Sequence, residues 1–123
     1  MKLLSFFITI LITFIACGKH QTCKGVEFNG TRSFKNNKPI TGNCITHHNN
    51  SNLKSIQSYS DGFDHGEWIF YFNDETIETE GTFKKGKKVG IWKYYYRNGK
   101  LKNVSEYSKK GILVKSENFD SIY

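Results

Sequence analysis

Polar and apolar residues alternate along the second half of the chain. From Trp92 to Arg97 the aromatic residues Trp92, Tyr94 and Tyr96 occupy every second position, and the residues between them are Lys93, Tyr95 and Arg97. A period of two places alternate side chains on opposite faces of a β-strand. Asn98-Gly99 then gives the sequence signature of a type I′ hairpin turn. We therefore predict a strand, a tight turn, and a return strand over residues 100–107.

The same pattern recurs every 24 residues, as shown by Gly42, Gly66 and Gly90. Two further sets keep this register: Leu53, Ile77 and Leu101, and Tyr59, Phe83 and Tyr107. A fixed period of this length indicates a repeat array in which each unit buries its apolar face against its neighbours. Alanine occurs once and proline once, whereas aromatic residues make up 15% of the chain. We therefore predict an all-β fold, an elongated antiparallel meander with two strands per repeat.

The repeat carries a family resemblance. From Gly90 the residues follow the pattern Gly-x-Trp-x-x-Tyr-Tyr-x-x-Gly-x-Leu, which resembles the bacterial variant of the MORN repeat. Two copies cover Gly66 to Val89 and Gly90 to Leu113, and a degraded copy begins at Gly42. The chain also resembles the YwqK-like proteins, which are labelled antitoxin components. The resemblance implies a module that holds partners or membranes together.

The first residues of the chain form a separate segment. Lys2 precedes an apolar run from Leu3 to Ala16, the length of a signal-peptide core and short for a membrane span. The ending Phe14-Ile15-Ala16-Cys17 resembles a bacterial lipobox, in which the cysteine is lipidated. We predict a lipoprotein signal peptide (1–16), a lipidated linker (17–33) and a repeat domain with a closing strand (34–123). An ordinary cleaved signal and an uncleaved anchor are the alternatives.

This segment predicts the cell envelope as the location, with Cys17 as the membrane attachment, in the outer membrane where the cell has one. Disulfides persist in exported proteins, so Cys23 and Cys44 are predicted to be bonded. Such a bridge would contribute about 3 kcal/mol in the chain-entropy model. Cys44 also holds the position of Trp68 and Trp92 in the 24-residue register, where a covalent link can replace a lost packing residue. Zinc bound by Cys23, Cys44, His47 and His48 is the alternative, disfavoured because adjacent strand residues point to opposite faces.

The formal net charge of +7 favours an anionic environment. Four lysines flank Gly86, namely Lys84, Lys85, Lys87 and Lys88. They form either a solvated turn or a contact with phosphate or carboxylate groups at a membrane surface. Nucleic acid does not fit an exported chain. The acidic stretch Asp74, Glu75, Glu78 and Glu80 surrounds a predicted turn, where solvated carboxylates are expected.

The aromatic residues give two interpretations. Six of them (Trp68, Phe70, Phe72, Trp92, Tyr94 and Tyr96) are predicted to form the core of a thin sheet; the alternative is that part of this face is a groove for an extended peptide or a sugar chain. Tyr71 and Tyr95 fall on the opposite face and are the candidate partner contacts, together with the lysine cluster. No catalytic grouping or cofactor motif is evident. We predict a non-catalytic, lipid-anchored protein with a protein partner, antitoxin-like or immunity-like in role; the alternative is a module that binds cell-wall or surface glycans.

Overall fold

The computed structural model describes residues 20–121, and this part of the chain contains twelve strands and no helix. The strands are β1 (Gln21–Thr22), β2 (Val26–Phe28), β3 (Ser33–Lys35), β4 (Lys38–Pro39), β5 (Gly42–His47), β6 (Leu53–Ser60), β7 (Phe63–Asp64), β8 (Gly66–Tyr71), β9 (Ile77–Lys84), β10 (Lys87–Tyr95), β11 (Leu101–Tyr107) and β12 (Leu113–Asn118). The all-β prediction is therefore confirmed. The predicted signal peptide and Cys17 lie outside the described residues.

Most of the strands form one sheet in chain order. Its order is β1-β5-β6-β8-β9-β10-β11-β12, with β7 paired to β6. All neighbours from β5 to β12 are antiparallel, as a meander requires. The exception is β1, which pairs with β5 in parallel, so the sheet is mixed rather than purely antiparallel. A second sheet of three antiparallel strands, β2-β3-β4, precedes the array.

The segment assigned to a linker contains ordered strands. Both β1 and β2 lie before residue 33, and Ser33 is itself the first residue of β3. The cause is packing: Ile40, Cys44 and Tyr59 form a buried cluster, and Cys23 and Val26 pack against it. The predicted boundary at residues 33 and 34 therefore cuts through a folded unit.

The hairpin turns are of two kinds, and the sequence assigns one of them wrongly. Two-residue turns with positive φ at both positions, the type I′ geometry, occur at Asp61-Gly62 and Lys85-Gly86. At Asn98-Gly99 only Gly99 has positive φ, 82°. Its amide donates to the Tyr96 carbonyl, while the Tyr96 amide donates to the Lys100 carbonyl. This is a three-residue loop in which a type I turn is followed by a glycine bulge, so the type I′ prediction there is wrong.

The repeat register is confirmed by the tryptophans. The Trp68 indole nitrogen donates to the Ser58 carbonyl at 2.8 Å, and the Trp92 indole nitrogen donates to the Thr82 carbonyl at 3.1 Å. Donors and acceptors in these two bonds are each 24 residues apart along the sequence. The two indoles therefore occupy equivalent positions in successive repeats.

A chain of edge-to-face aromatic contacts crosses four strands. The ring centroids are 5.4 Å apart for Tyr59 and Trp68, 5.1 Å for Trp68 and Phe83, and 4.9 Å for Phe83 and Trp92. We call the side of the sheet that carries these rings the aromatic face. It includes four of the six residues predicted for it, namely Trp68, Phe70, Trp92 and Tyr94; Phe72 and Tyr96 lie beyond the strand ends, in turns.

Candidate functional site

The face opposite the aromatic rings is the candidate interaction surface, and we call it the open face. A row of paired residues crosses it from strand to strand: Ile45, Ile56, Ile69, Glu80, Lys93, Val104 and Glu117. Six residues of this row are half-buried and Glu117 is exposed, so the row is accessible along its whole length. The row is apolar at the β5 end and charged toward β12.

The open face has only small, shallow depressions among the described residues. One depression of about 230 Å³ has a lining that includes Glu67, Ile69, Glu80, Ile91 and Lys93. Another, of about 160 Å³, is lined by Ile91, Val104 and Glu106 with the β12 residues Lys115 and Glu117. Ile91 borders both and is 47% exposed. These volumes are below those typical of small-molecule sites, so the surface suits side chains of a macromolecular partner.

The tyrosines predicted as contact residues lie at one end of the open face. Tyr71 and Tyr95 are the last residues of β8 and β10, and both are half-buried. The Tyr95 hydroxyl donates to a Glu80 carboxylate oxygen at 2.7 Å. Burial, and then this hydrogen bond to Glu80, raise the pKa of Tyr95 to about 12. The hydrogen bond to Glu80 therefore holds the Tyr95 ring in one orientation.

Three of the predicted lysines lie at the other end of the strands. Lys84, Lys85 and Lys87 are exposed beside the type I′ turn. The next turn brings Lys109 and Lys110 alongside, and we call these five lysines the basic edge. Within residues 20–121, no carboxylate lies in salt-bridge distance of them. Because β9 has eight residues, about 24 Å separates the basic edge from Tyr71 and Tyr95, at roughly 3.4 Å per residue.

Lys88 does not belong to this exposed cluster. It pairs with Phe83 across β9 and β10, which places it on the aromatic face. Its ammonium lies 4.3 Å from the Trp92 ring centroid and donates to the Tyr94 hydroxyl at 2.9 Å. A cation over an aromatic ring is an internal, stabilising contact. The predicted cluster of four is therefore corrected to three, because alternation along β10 turns Lys88 away from its neighbours.

Three other residues considered for chemistry, Cys23, Cys44 and Asp74, have structural partners. Cys23 and Cys44 form the predicted disulfide, so their sulfurs are not available as zinc ligands. The described residues contain no group of three or more side chains that could hold a metal ion. Asp74 accepts hydrogen bonds from the Thr76 hydroxyl and amide, which lower the pKa of its carboxyl and close the β8–β9 turn.

The exposure of the two indole rings is relevant to the alternative that the chain binds glycans. Trp92 is only 2% exposed, and Trp68 is half-buried between Tyr59 and Phe83. Glycan modules stack sugars on rings that are open to solvent. The Trp92 ring is closed by its neighbours and by Lys88.

Gly81, which the sequence pattern does not mark as important, explains why the Trp92 indole is buried. A Cβ added there would lie 2.1 Å from Cδ2 of Trp92, because the indole rests directly on the glycine backbone. In the preceding repeat, Gln57 stands 24 residues before Gly81, opposite the partly exposed Trp68. The difference in exposure between Trp92 and Trp68 follows from the residue opposite each of them across its hairpin, which is a signal that the sequence contains.

The family comparison agrees with the repeat assignment. Residues 64–85 and 88–109 each match the family model described as MORN repeat variant. These two segments begin 24 residues apart and overlap the two copies inferred from the glycines and tryptophans. No curated protein and no solved structure shows significant similarity to the chain. Repeats of this family commonly take part in protein or membrane interactions, and the family is generally non-catalytic.

The described residues 20–121 include no helix with the length and hydrophobicity needed to cross a membrane.

Proposed function

We propose that this chain is a non-catalytic, lipid-anchored envelope protein whose open face binds a protein partner. The observation that carries the proposal is the accessible row of paired residues on that face, apolar at one end and charged at the other. Such a mixture is typical of protein interfaces, which combine apolar contact area with polar groups that fix orientation. The family comparison supports a binding role without naming the partner.

Tyr95 is the residue of the open face that is best suited to contact a partner. Tyrosine contributes a large, rigid contact area together with a polar hydroxyl, and it is enriched at interface positions that matter most for affinity. The hydrogen bond to Glu80 fixes the Tyr95 ring, so little conformational entropy is lost on binding. The basic edge adds a positive field that would attract an acidic partner or anionic headgroups.

The test compares two neighbouring tyrosines of the same strand. Tyr95 lies on the open face and Tyr94 on the aromatic face, so Tyr95→Ala and Tyr94→Ala make the same chemical change on opposite sides. Co-purification from envelope extracts, followed by a binding titration with the identified partner, should show a loss of affinity for Tyr95→Ala and little change for Tyr94→Ala. Equal losses in two folded variants, or a loss for Tyr94→Ala alone, would contradict the proposal. If the partner is a toxin, its activity in the presence of this chain tests the antitoxin-like role.

The anchor has a separate test. Replacing Cys17 with serine should remove metabolic lipid labelling and shift the protein from the membrane fraction to the soluble or unprocessed pool. A Cys17→Ser protein that stays lipid-labelled and membrane-bound would show that Cys17 is not the attachment. The outcome is independent of the partner-binding experiment.

A further inference from the structure

The last strand forms an exposed edge of the large sheet. All six residues of β12 are exposed, and Leu113 and Val114 reach 52% and 63%. Its inner side pairs with β11, and no strand within residues 20–121 pairs with its outer side. Edge strands of this kind accept another strand unless something prevents it.

The alternation of backbone hydrogen bonds along β12 shows which residues direct their amide and carbonyl groups away from β11. The Phe119 amide donates to the Lys102 carbonyl, so at position 119 the backbone groups point toward β11. In an antiparallel pair these inward-pointing positions alternate with outward-pointing ones. Like Phe119, Lys115 and Glu117 direct their backbone amide and carbonyl toward β11. Ser116 and Asn118 pair with Ser105 and Asn103 as non-hydrogen-bonded positions. The amide and carbonyl of Ser116 are therefore directed away from the sheet.

We propose that β12 pairs with β12 of a second copy of this chain, antiparallel and centred on Ser116. In this register the two Ser116 residues exchange reciprocal N–H···O=C bonds across a twofold axis. Lys115 of each copy then lies opposite Glu117 of the other, in a pair where side chains approach closely. The two large sheets become one continuous sheet.

Charge complementarity selects a second copy as the occupant. The sequence Lys115-Ser116-Glu117 has opposite charges on either side of its centre, so it complements itself when the direction is reversed. A parallel pairing in the same register would instead place lysine beside lysine and glutamate beside glutamate. Both side chains are available: they are 70% and 55% exposed, and their mutual contact of 3.7 Å is a loose surface ion pair. A lone edge lysine discourages pairing, but the glutamate two residues later makes this edge selective for itself.

The geometry leaves the open face free in the dimer. A twofold axis through an antiparallel strand pair is perpendicular to the sheet, so both open faces lie on the same side. Two copies therefore present two partner surfaces in one plane. The pairing takes its charged contacts from Lys115 and Glu117 at the β12 end of the open face, whereas the partner surface is centred on Tyr95 of β10, so either can fail without the other.

Charge reversal tests both the contact and its register. Sedimentation velocity of the full chain in a mild detergent, over a range of concentrations, gives the dimer dissociation constant. Lys115→Glu alone and Glu117→Lys alone should each raise it about tenfold or more, because each places like charges opposite one another twice. The double variant Lys115→Glu/Glu117→Lys should restore pairing. A mixture of the two single variants should form heterodimers, because every facing pair is then opposite in charge.

A backbone test uses the outward direction of Ser116. Ser116→Pro removes an amide that β11 does not use, so the monomer should remain folded while pairing is lost. Ser116→Ala is the matched control, because it removes the hydroxyl contacts with Asn103 and Ser105 but keeps the amide. Circular dichroism verifies that each variant is folded.

The proposal is overturned if the full chain stays monomeric throughout, or if its dimer tolerates Ser116→Pro and both charge reversals. It is also overturned if the mixed single variants do not associate more tightly than either alone.

Discussion

Gly81 should be the position where the smallest substitution has the largest effect on stability. Its backbone lacks the positive φ that would itself exclude alanine, so any cost of Gly81→Ala is steric. The added Cβ would lie 2.1, 2.3 and 2.6 Å from Cδ2, Cε2 and Cε3 of Trp92, well inside contact distance. Either the indole leaves its site or β9 and β10 move apart.

The magnitude follows from these two responses. Expelling Trp92, which is 2% exposed, forfeits most of what a Trp→Ala substitution loses, about 3–5 kcal/mol. Accommodating the methyl group by moving the strands costs about 1–3 kcal/mol, as overpacked cores do. The protein takes the cheaper response, so we expect a loss of about 2–3 kcal/mol in the free energy of unfolding. That is a large part of the roughly 5–15 kcal/mol that a domain holds.

A double-mutant cycle separates this mechanism from a general intolerance of the strand. In a Trp92→Ala background the methyl group meets no indole, so Gly81→Ala should be neutral or stabilising by about 0.5 kcal/mol. The coupling energy between the two sites should therefore be about 2–3 kcal/mol. Urea denaturation measures all four proteins by circular dichroism, and Trp68 remains as a fluorescence probe.

Gly90→Ala is the matched control. It makes the same substitution at a glycine with φ of 66° and open space around its Cβ, so it should cost about 1 kcal/mol irrespective of Trp92. Losses from Gly81→Ala and Trp92→Ala that simply add would refute the stacking argument.

Three further predictions follow from the turns, the buried tyrosine and the disulfide. Glu75 and Gly99 hold equivalent positive-φ positions in successive repeats. Glu75→Gly should therefore leave stability unchanged or raise it by a few tenths of a kcal/mol, whereas Gly99→Ala should lower it by about 1 kcal/mol. Thermal unfolding compares the two variants, and a reversed order of stability would contradict the equivalence. Burial, and then the charge of Asp64, raise the pKa of Tyr59 to about 12 from 10.0, so the folded state favours the neutral phenol and stability should fall as pH rises from 10 to 12. Denaturation of Tyr59→Phe should show a smaller fall over that range, and an identical fall would exclude Tyr59 as a source. Mass mapping of the protein without reduction should find the peptides of Cys23 and Cys44 linked, and free thiols at both would contradict the bridge.

The repeat could be read from the sequence because its signals are local. Glycines, tryptophans and alternating aromatics recur at one spacing, and each keeps its role without knowledge of the rest of the fold. The disulfide was equally accessible, since Cys44 stands where the register calls for a tryptophan. These features gave the strand order from β5 to β12.

The errors arise where the register between strands decides the outcome. Grouping Lys88 with its sequence neighbours is wrong because its pairing with Phe83 places it on the aromatic face. The turn at Gly99 has a third loop residue, Arg97, because the Tyr96 amide donates to the Lys100 carbonyl, and the dipeptide Asn98-Gly99 does not encode this pairing. The parallel pairing of β1 is fixed by the distant contact of Cys23 with Cys44. Long-range contacts of this kind have no signature in a short window of sequence.

The disulfide also determines how the molecule bears mechanical load. A pull on the chain before Cys23 passes through the sulfur–sulfur bond to Cys44 and enters the large sheet at β5. Residues 24–43 form a closed covalent loop beside that path, so the three-stranded sheet carries none of the tension. β1 lies before Cys23 on the loaded path, so its short ladder with β5 separates before the disulfide carries the force. The hydrogen bonds between β5 and β6 then resist the force, and the repeats yield in sequence from that end.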